Sequence, residues 1–144
     1  MTAPIRVGLL GAGRIGSLHA RLIAQDVPGL GLGGVFDVDE EAAESVARSL
    51  GVPTSASADE LMTSPATDAI AICTSTDTHV DLVVQAAAIG KPVLLEKPVS
   101  LDLGEVDRAL DAARRAGLFL QVGFNRRFDP AHASVRDAIA GGEV

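Results

Sequence analysis

Three glycines, an aspartate and a lysine have the types and spacing to do chemistry together in this sequence. Gly11, Gly13 and Gly16, within GLLGAGRIGSLHA, follow an apolar run at residues 5–10 and open a stretch with helical spacing. In that setting Gly11 permits a tight turn, Gly13 lets the backbone approach a pyrophosphate with no Cβ between, and Gly16 lets helix and strand pack closely. Ala12, Arg14 and Ile15 share the turn, where N–H groups and the positive end of the helix dipole face the same anion. Two plainer readings stand beside this one. The glycines can serve only the backbone freedom of a strand-to-helix turn, and Arg14 can be a surface residue at a helix start.

Asp37 closes a second apolar run, about twenty residues beyond Gly16, the separation at which a carboxylate reaches the adenosine ribose hydroxyls of a dinucleotide. A carboxylate there repels a 2′-phosphate, and no arginine follows nearby, so the spacing favours NAD over NADP. The helix expected from Glu40 needs an N-cap that either Asp37 or Asp39 could supply, and we assign it to Asp39.

Lys97 lies at the end of another apolar run, in Glu96-Lys97-Pro98. Open α/β sheets bind ligands at the carboxyl ends of their strands, and a lysine there can hydrogen-bond a substrate oxygen as alkoxide character develops. An ordinary lysine titrates near ~10.4, so it would accept a proton only if burial or a cationic neighbour lowered that value. The alternative is a solvated loop lysine beside a strand-ending proline. Thr74, Ser75 and Thr76 follow a further run, where hydroxyl and backbone groups can touch the cofactor's ribose and phosphates. His79 opens a helix and reads as a capping or solvated residue, with a direct ligand role as the alternative. His132 reads as a helix-surface residue. No Cys and His spacing suggests a metal site.

These groups need a scaffold, and the pattern supplies one. Short β-like runs at residues 5–10, 32–37, 52–54 (a weak one), 68–73, 92–96 and 118–122 alternate with helical stretches at 14–25, 40–50, 58–63, 79–89, 103–116 and 131–140. Such alternation predicts an α/β fold, a Rossmann-type doubly wound parallel sheet covered on both faces. Glycines 51, 90 and 117 suit the left-handed positions that end helices, Ser57 with Glu60 reads as a capping box, and Asp129-Pro130 reads as an N-cap with proline at N1. Covered parallel strands also explain a mean hydropathy of +0.29 in a chain with only 3% aromatic residues.

Charge and composition exclude other classes. With 12 Lys and Arg against 19 Asp and Glu, the net charge of -7 argues against nucleic acid as a partner. The single cysteine, Cys73, cannot form an internal disulfide and is expected as a reduced, buried thiol, which fits a cytoplasmic setting. No export leader precedes the first run, and no apolar stretch reaches the ~18 residues of a membrane span, so no membrane partner is expected.

Three further segments, CTSTDTH (73–79), LLEKPVS (94–100) and GFNRRFDP (123–130), join the glycine turn in an order that resembles the Gfo/Idh/MocA oxidoreductase family over the whole chain. GFNRRFDP and its continuation AHASVRDAI are most similar to the bacterial inositol 2-dehydrogenases within it. The resemblance implies hydride transfer from a carbinol carbon of a cyclic polyol or sugar to NAD, with myo-inositol and its 2-keto product as the nearest case. It implies that Lys97 is catalytic and touches the cofactor, that Glu96 supports the cofactor or the lysine, and that the Lys97-Pro98 bond is often cis. Asn125, Arg126 and Arg127 would border the substrate, a solvated basic turn being the alternative. Another sugar, such as glucose or an aminosugar derivative, is a second reading, and a non-catalytic NAD-binding or sensing module a third. Asp77 stands where the family usually has asparagine, which puts an amide contact to the cofactor in doubt.

The family continues into a second, mainly antiparallel β domain carrying an Asp and a His, by resemblance the orienting acid and the catalytic base. The expectation is therefore an NAD-binding Rossmann domain over 1–123 and the first helix of a truncated substrate domain over 124–144, inactive as a dehydrogenase by itself. Apolar surface around Phe124 and Phe128 would then favour self-association into a homo-oligomer.

Overall fold

The computed structural model describes residues 3–143. Five strands, β1 (Ile5–Leu10), β2 (Leu30–Phe36), β3 (Ala69–Ile72), β4 (Val93–Leu95) and β5 (Leu120–Val122), form one sheet in the order β2-β1-β3-β4-β5, parallel throughout. Six helices connect and follow them: α1 (Arg14–Arg21), α2 (Glu40–Leu50), α3 (Ala58–Thr63), α4 (His79–Ile89), α5 (Leu103–Ala116) and α6 (Pro130–Ala140). None is long and apolar enough to cross a membrane.

Alternation along the strands builds two cores. Val7, Leu9 and Ala71 face α1 and α2 with Ala20, Ala43 and Ala47, while Leu10, Ile70, Ile72 and Leu95 face α3, α4 and α5 with Leu61, Val83 and Ala109. Leu9, Leu10, Ile70, Ile72 and Leu95 are completely buried. Each such side chain contributes about 1.5–3 kcal/mol relative to exposure. The doubly wound sheet thus follows from apolar residues on both faces of each short strand.

Local signals set the boundaries. Asp39 caps α2 by accepting from Ala42 N at 3.1 Å, and Ser57 caps α3 by accepting from Glu60 N at 3.0 Å. The return arm of the capping box reaches one residue further back, because Glu60 Oε2 accepts from Ala56 N at 2.7 Å. Asp129 caps α6, accepting from Ala131 N at 2.9 Å, with Pro130 in the first turn.

Three expectations are corrected. Residues 52–54 do not form a sixth strand. They make a single parallel bridge between Val35 and Thr54, held by Val35 N to Pro53 O at 3.0 Å and Ser55 N to Val35 O at 2.9 Å. Pro53 has no N–H with which to extend the ladder backward. The second strand begins at Leu30 rather than at 32, because the register slips between Val7 and Gly8 and Gly33 takes the unpaired place. A Cβ at Gly33 would lie 2.6 Å from the Ala66 carbonyl oxygen, so the glycine run suits a bulge under close approach rather than ending the strand. The helical stretch 14–25 is α-helical only to Arg21. Its last turn widens, with Val27 N donating to Leu22 O at 3.0 Å, and Pro28 then holds Val27 extended.

At the opposite end of the sheet from the glycine turn, Arg6 and Asp68 tie the starts of β1 and β3. Asp68 Oδ2 accepts from Arg6 N and Nε at 2.9 Å each, and Oδ1 accepts from Arg6 Nη2 at 2.8 Å. The guanidinium and backbone N–H of Arg6 hold the Asp68 carboxyl down to about 2, against an ordinary value of 3.8. A carboxylate lowered in the folded state stabilises the fold above its unfolded value and loses that contribution as pH falls through the folded one. The melting-temperature gap between the parent chain and Asp68→Asn is therefore expected to be constant above about pH 5 and to close towards pH 2. A gap that persists at pH 2 would contradict this account.

Candidate functional site

Because every strand is parallel, the carboxyl ends of β1, β3, β4 and β5 share one edge, and the groups singled out by sequence are carried there. The glycine turn follows β1. Gly11 has φ +94, and a Cβ on it would stand 2.5 Å from the Cys73 carbonyl oxygen and 2.7 Å from Thr74 N. A Cβ on Gly16 would overlap the Gly11 carbonyl oxygen, so the start of α1 rests directly on the end of β1. Gly13 differs from both, since a Cβ there would meet nothing within 4 Å. The first-turn N–H groups of α1 have no side-chain cap and face that open space. Open space beside first-turn N–H donors suits an anion such as a pyrophosphate. Arg14 and Ile15 are exposed at its rim.

Asp37 lies directly after β2 and is half-buried. One carboxylate oxygen accepts from Ala12 N at 2.5 Å and the other from Asp39 N at 2.9 Å, so Asp37 braces the turn while Asp39 caps α2. A cleft of about 580 Å³ adjoins it, lined among others by Val38, Glu40, Glu44, Ser55 and Glu60. Four carboxylates on one cleft disfavour a phosphate there.

After β3, the half-buried Thr74, the exposed Ser75 and the half-buried Thr76 form the crossing loop. Thr78 Oγ1 lies 2.8 Å from the Ser75 carbonyl oxygen, to which it donates its single proton, and 2.7 Å from Thr74 Oγ1, from which it accepts. Asp77 points outward, its carboxyl held below the ordinary value by the Ser75 hydroxyl and its own backbone N–H. His79 corrects the expectation. It is neither a cap nor solvated, being 1% exposed, and both ring nitrogens face backbone carbonyls: Nδ1 lies 2.8 Å from Pro98 O and Nε2 3.1 Å from Thr74 O. Neither nitrogen is left for a cofactor.

Glu96, Lys97 and Pro98 follow β4, with the Lys97-Pro98 bond cis. Lys97 is exposed, and among the described residues no carboxylate pairs with its ammonium. Its backbone is less free. Glu96 Oε2 accepts from Lys97 N at 3.1 Å, while Oε1 lies 2.8 Å from His19 Nε2 on α1. Gly123 makes room for this carboxylate, since a Cβ there would stand 3.2 Å from Glu96 Oε1. Cys73 is half-buried below the loops, and burial together with the Glu96 charge pushes its thiol up to about 12, the state of an unreactive thiol.

Asn125, Arg126 and Arg127 form a tight exposed turn after β5, on the same edge. Arg126 Nη1 donates to Asp129 Oδ2 at 3.0 Å, which commits it to the cap of α6. His132 is exposed beside the same carboxylate. Sequence reasoning missed His19 and Thr78. The available signal for His19 was its place three residues beyond Gly16, one turn along the same helix face.

The glycines give paired tests. Gly16→Ala is expected to lose about 1–3 kcal/mol of stability through overlap with the Gly11 carbonyl. Gly13→Val should melt within a few degrees of the parent chain yet bind NADH at least about tenfold more weakly, roughly 1.4 kcal/mol. Thermal unfolding and calorimetric titration check both, and equal effects on stability would refute the assignment of open space to Gly13.

Comparison with known proteins agrees with this geometry. The Gfo/Idh/MocA family model, described as an oxidoreductase family with an NAD-binding Rossmann fold, matches residues 5–124. The chain is 41% identical over 145 aligned positions to a scyllo-inositol 2-dehydrogenase (NAD(+)) of Bacillus subtilis, covering 100% of this chain and 42% of that protein. It is 41% identical over 140 positions to an inositol 2-dehydrogenase of Rhizobium meliloti, covering 97% of this chain and 42% of the other. The crystal structure of scyllo-inositol dehydrogenase from Lactobacillus casei with bound NAD(H) and scyllo-inositol superposes with a TM-score of 0.92 at 26% identity, over 98% of this chain and 42% of that one. The chain thus spans about 42% of the length of these relatives. With its glycine turn, Asp37 and Glu-Lys-Pro motif on one sheet edge, it belongs to the Gfo/Idh/MocA oxidoreductase family and carries that family's NAD-binding Rossmann fold.

Proposed function

We propose that this chain holds NAD for a dehydrogenase acting on a cyclic polyol, with inositol as the first substrate to test. The observation that carries the reading is the placement of an exposed Lys97 on the same sheet edge as the open turn at Gly13. The named inositol dehydrogenases among its relatives support the substrate class. When bound, NAD would supply the acceptor for the hydride of the carbinol carbon, while the hydroxyl proton would leave to a base.

The chain's own residues divide the remaining work. Gly11, Ala12, Gly13, Arg14, Ile15 and Gly16 would surround the pyrophosphate, and Asp37 would accept from the ribose hydroxyls. Thr74, Ser75 and Thr76 would line the cofactor's path toward Lys97. An ammonium at Lys97 donates to the carbinol oxygen and steadies the negative charge that builds on it. Asn125 and Arg127 would border the polyol, whose hydroxyls suit amide and guanidinium donors. Arg126 is the weaker candidate of that turn because Asp129 already holds it.

We read residues 1–123 as the NAD-binding domain and 124–144 as the first helix of a substrate domain. The family match ending at residue 124 supports that boundary, as does the exposure of Phe124, Phe128, Val135 and Ile139, a surface suited to burial against further chain or a second copy. A cytoplasmic location accords with the unpaired thiol.

Two measurements test this function. The 144-residue chain is expected to bind NADH clearly and NADPH poorly, and Asp37→Ala should weaken NADH and narrow the difference. Equal affinities would remove the argument from the carboxylate. In a longer protein that carries this chain and oxidises inositol, Lys97→Ala is expected to lower kcat/KM about 10²–10³-fold. Undiminished polyol oxidation would make the motif structural.

A further inference from the structure

His79 is buried to 1% exposure at the first residue of α4, between two loops that belong to different strands. The ladder between β3 and β4 closes with Glu96 N donating to Ile72 O at 2.9 Å. Beyond that bond, among the described residues, the hydrogen bonds spanning the Thr74 loop and the Pro98 loop are those of the His79 ring, at 3.1 Å and 2.8 Å. A carbonyl oxygen only accepts, so each contact needs a proton on the facing nitrogen. An imidazolium satisfies both carbonyls, and a neutral ring satisfies one. The buried ring, within hydrogen-bond distance of both carbonyls, is thus the polar link between the two loops.

The second end of the Lys97 segment is held as well. Glu96 binds Lys97 N with one oxygen and His19 of α1 with the other. The lysine backbone thus sits between an anchor to the pyrophosphate helix and an anchor to the Thr74 loop. We infer that His79 is a positioning residue: by gripping the carbonyls of Thr74 and Pro98 it sets the place of Lys97 relative to the cofactor loop. The relation to NAD rests on the function proposed above, whereas the coupling of the two loops does not. A ring that released Pro98 would leave Lys97 anchored through Glu96 alone, and an exposed four-carbon side chain amplifies any tilt of its backbone.

Isotope-labelled 144-residue chain tests this by NMR, with His79→Leu removing the polar ring and His79→Gln retaining an amide donor. Without cofactor, the amide signals of Thr74, Ser75, Glu96 and Lys97 are expected to shift and broaden in the leucine variant, while those of β2 and α2 stay in place. On addition of NADH, the Lys97 side-chain methylene signals should move in the parent chain, fail to move in the leucine variant, and move again in the glutamine variant. NADH affinity should fall about tenfold for leucine and less for glutamine. A folded leucine variant whose Thr74 and Lys97 signals match the parent would overturn the inference. If leucine prevents folding, His79→Phe, which keeps a ring and carries no donor, decides: loop signals identical to the parent's overturn it, and shifted ones support it. Should NADH fail to bind the parent chain, the assignment of the site to NAD falls, and the cofactor-free loop signals still decide the coupling.

Discussion

The absence of a side chain at Gly16 lets α1 settle against the Gly11 carbonyl, and the arrangement of the sheet edge hangs on that approach. Any Cβ would lift the helix. With α1 seated there, its first-turn N–H groups face the space kept open at Gly13, and one turn on, His19 reaches Glu96 across the sheet edge. Glu96 in turn holds the backbone of Lys97. One contact between two glycines therefore sets the distance from the anion cradle to the lysine.

Packing and polar anchoring divide the molecule between them. Below the edge, buried aliphatic residues on both faces of the sheet, among them Leu9, Leu10, Ile70 and Ile72, exclude water and leave backbone hydrogen bonding to the ladders. At the edge the ladders stop, and backbone groups need new partners. Asp37 takes Ala12 N, His79 takes the carbonyls of Thr74 and Pro98, and Glu96 takes Lys97 N. Polar side chains are spent here on holding loops, which leaves few groups exposed for chemistry. Lys97 is exposed at this edge, as are Arg14 and Arg127.

The other end of the chain has a different character. The tight turn Asn125–Phe128 and α6 place Phe124, Phe128, Val135 and Ile139 in solvent while Asp129 ties up the helix start and Arg126. The family match stops at residue 124, where that change begins. The relatives are more than twice as long as this chain.

Local rules made much of this legible before any fold was known. The doubly wound architecture followed from alternating apolar runs, the turn from glycines 11, 13 and 16, and the caps from Asp39, Ser57 and Asp129, because each depends on neighbours in sequence. The bulge at Gly33, the lone bridge at Thr54 and the widened turn after Arg21 were not legible, since they depend on what another segment presents: the Ala66 carbonyl, a missing Pro53 donor, the path into Pro28. The histidines mark the boundary most clearly. His19 in the last turn of α1 and His79 at the start of α4 are ordinary helix residues in one dimension, and only the meeting of α1 and α4 with the end of β4 turns them into anchors. Sequence alone determined the doubly wound order of most elements, the glycine turn after β1 and the helix caps. Tertiary structure decided where Lys97 stands, because that position is set by hydrogen bonds between residues as far apart as His19 and Glu96, whose partnership no local spacing encodes.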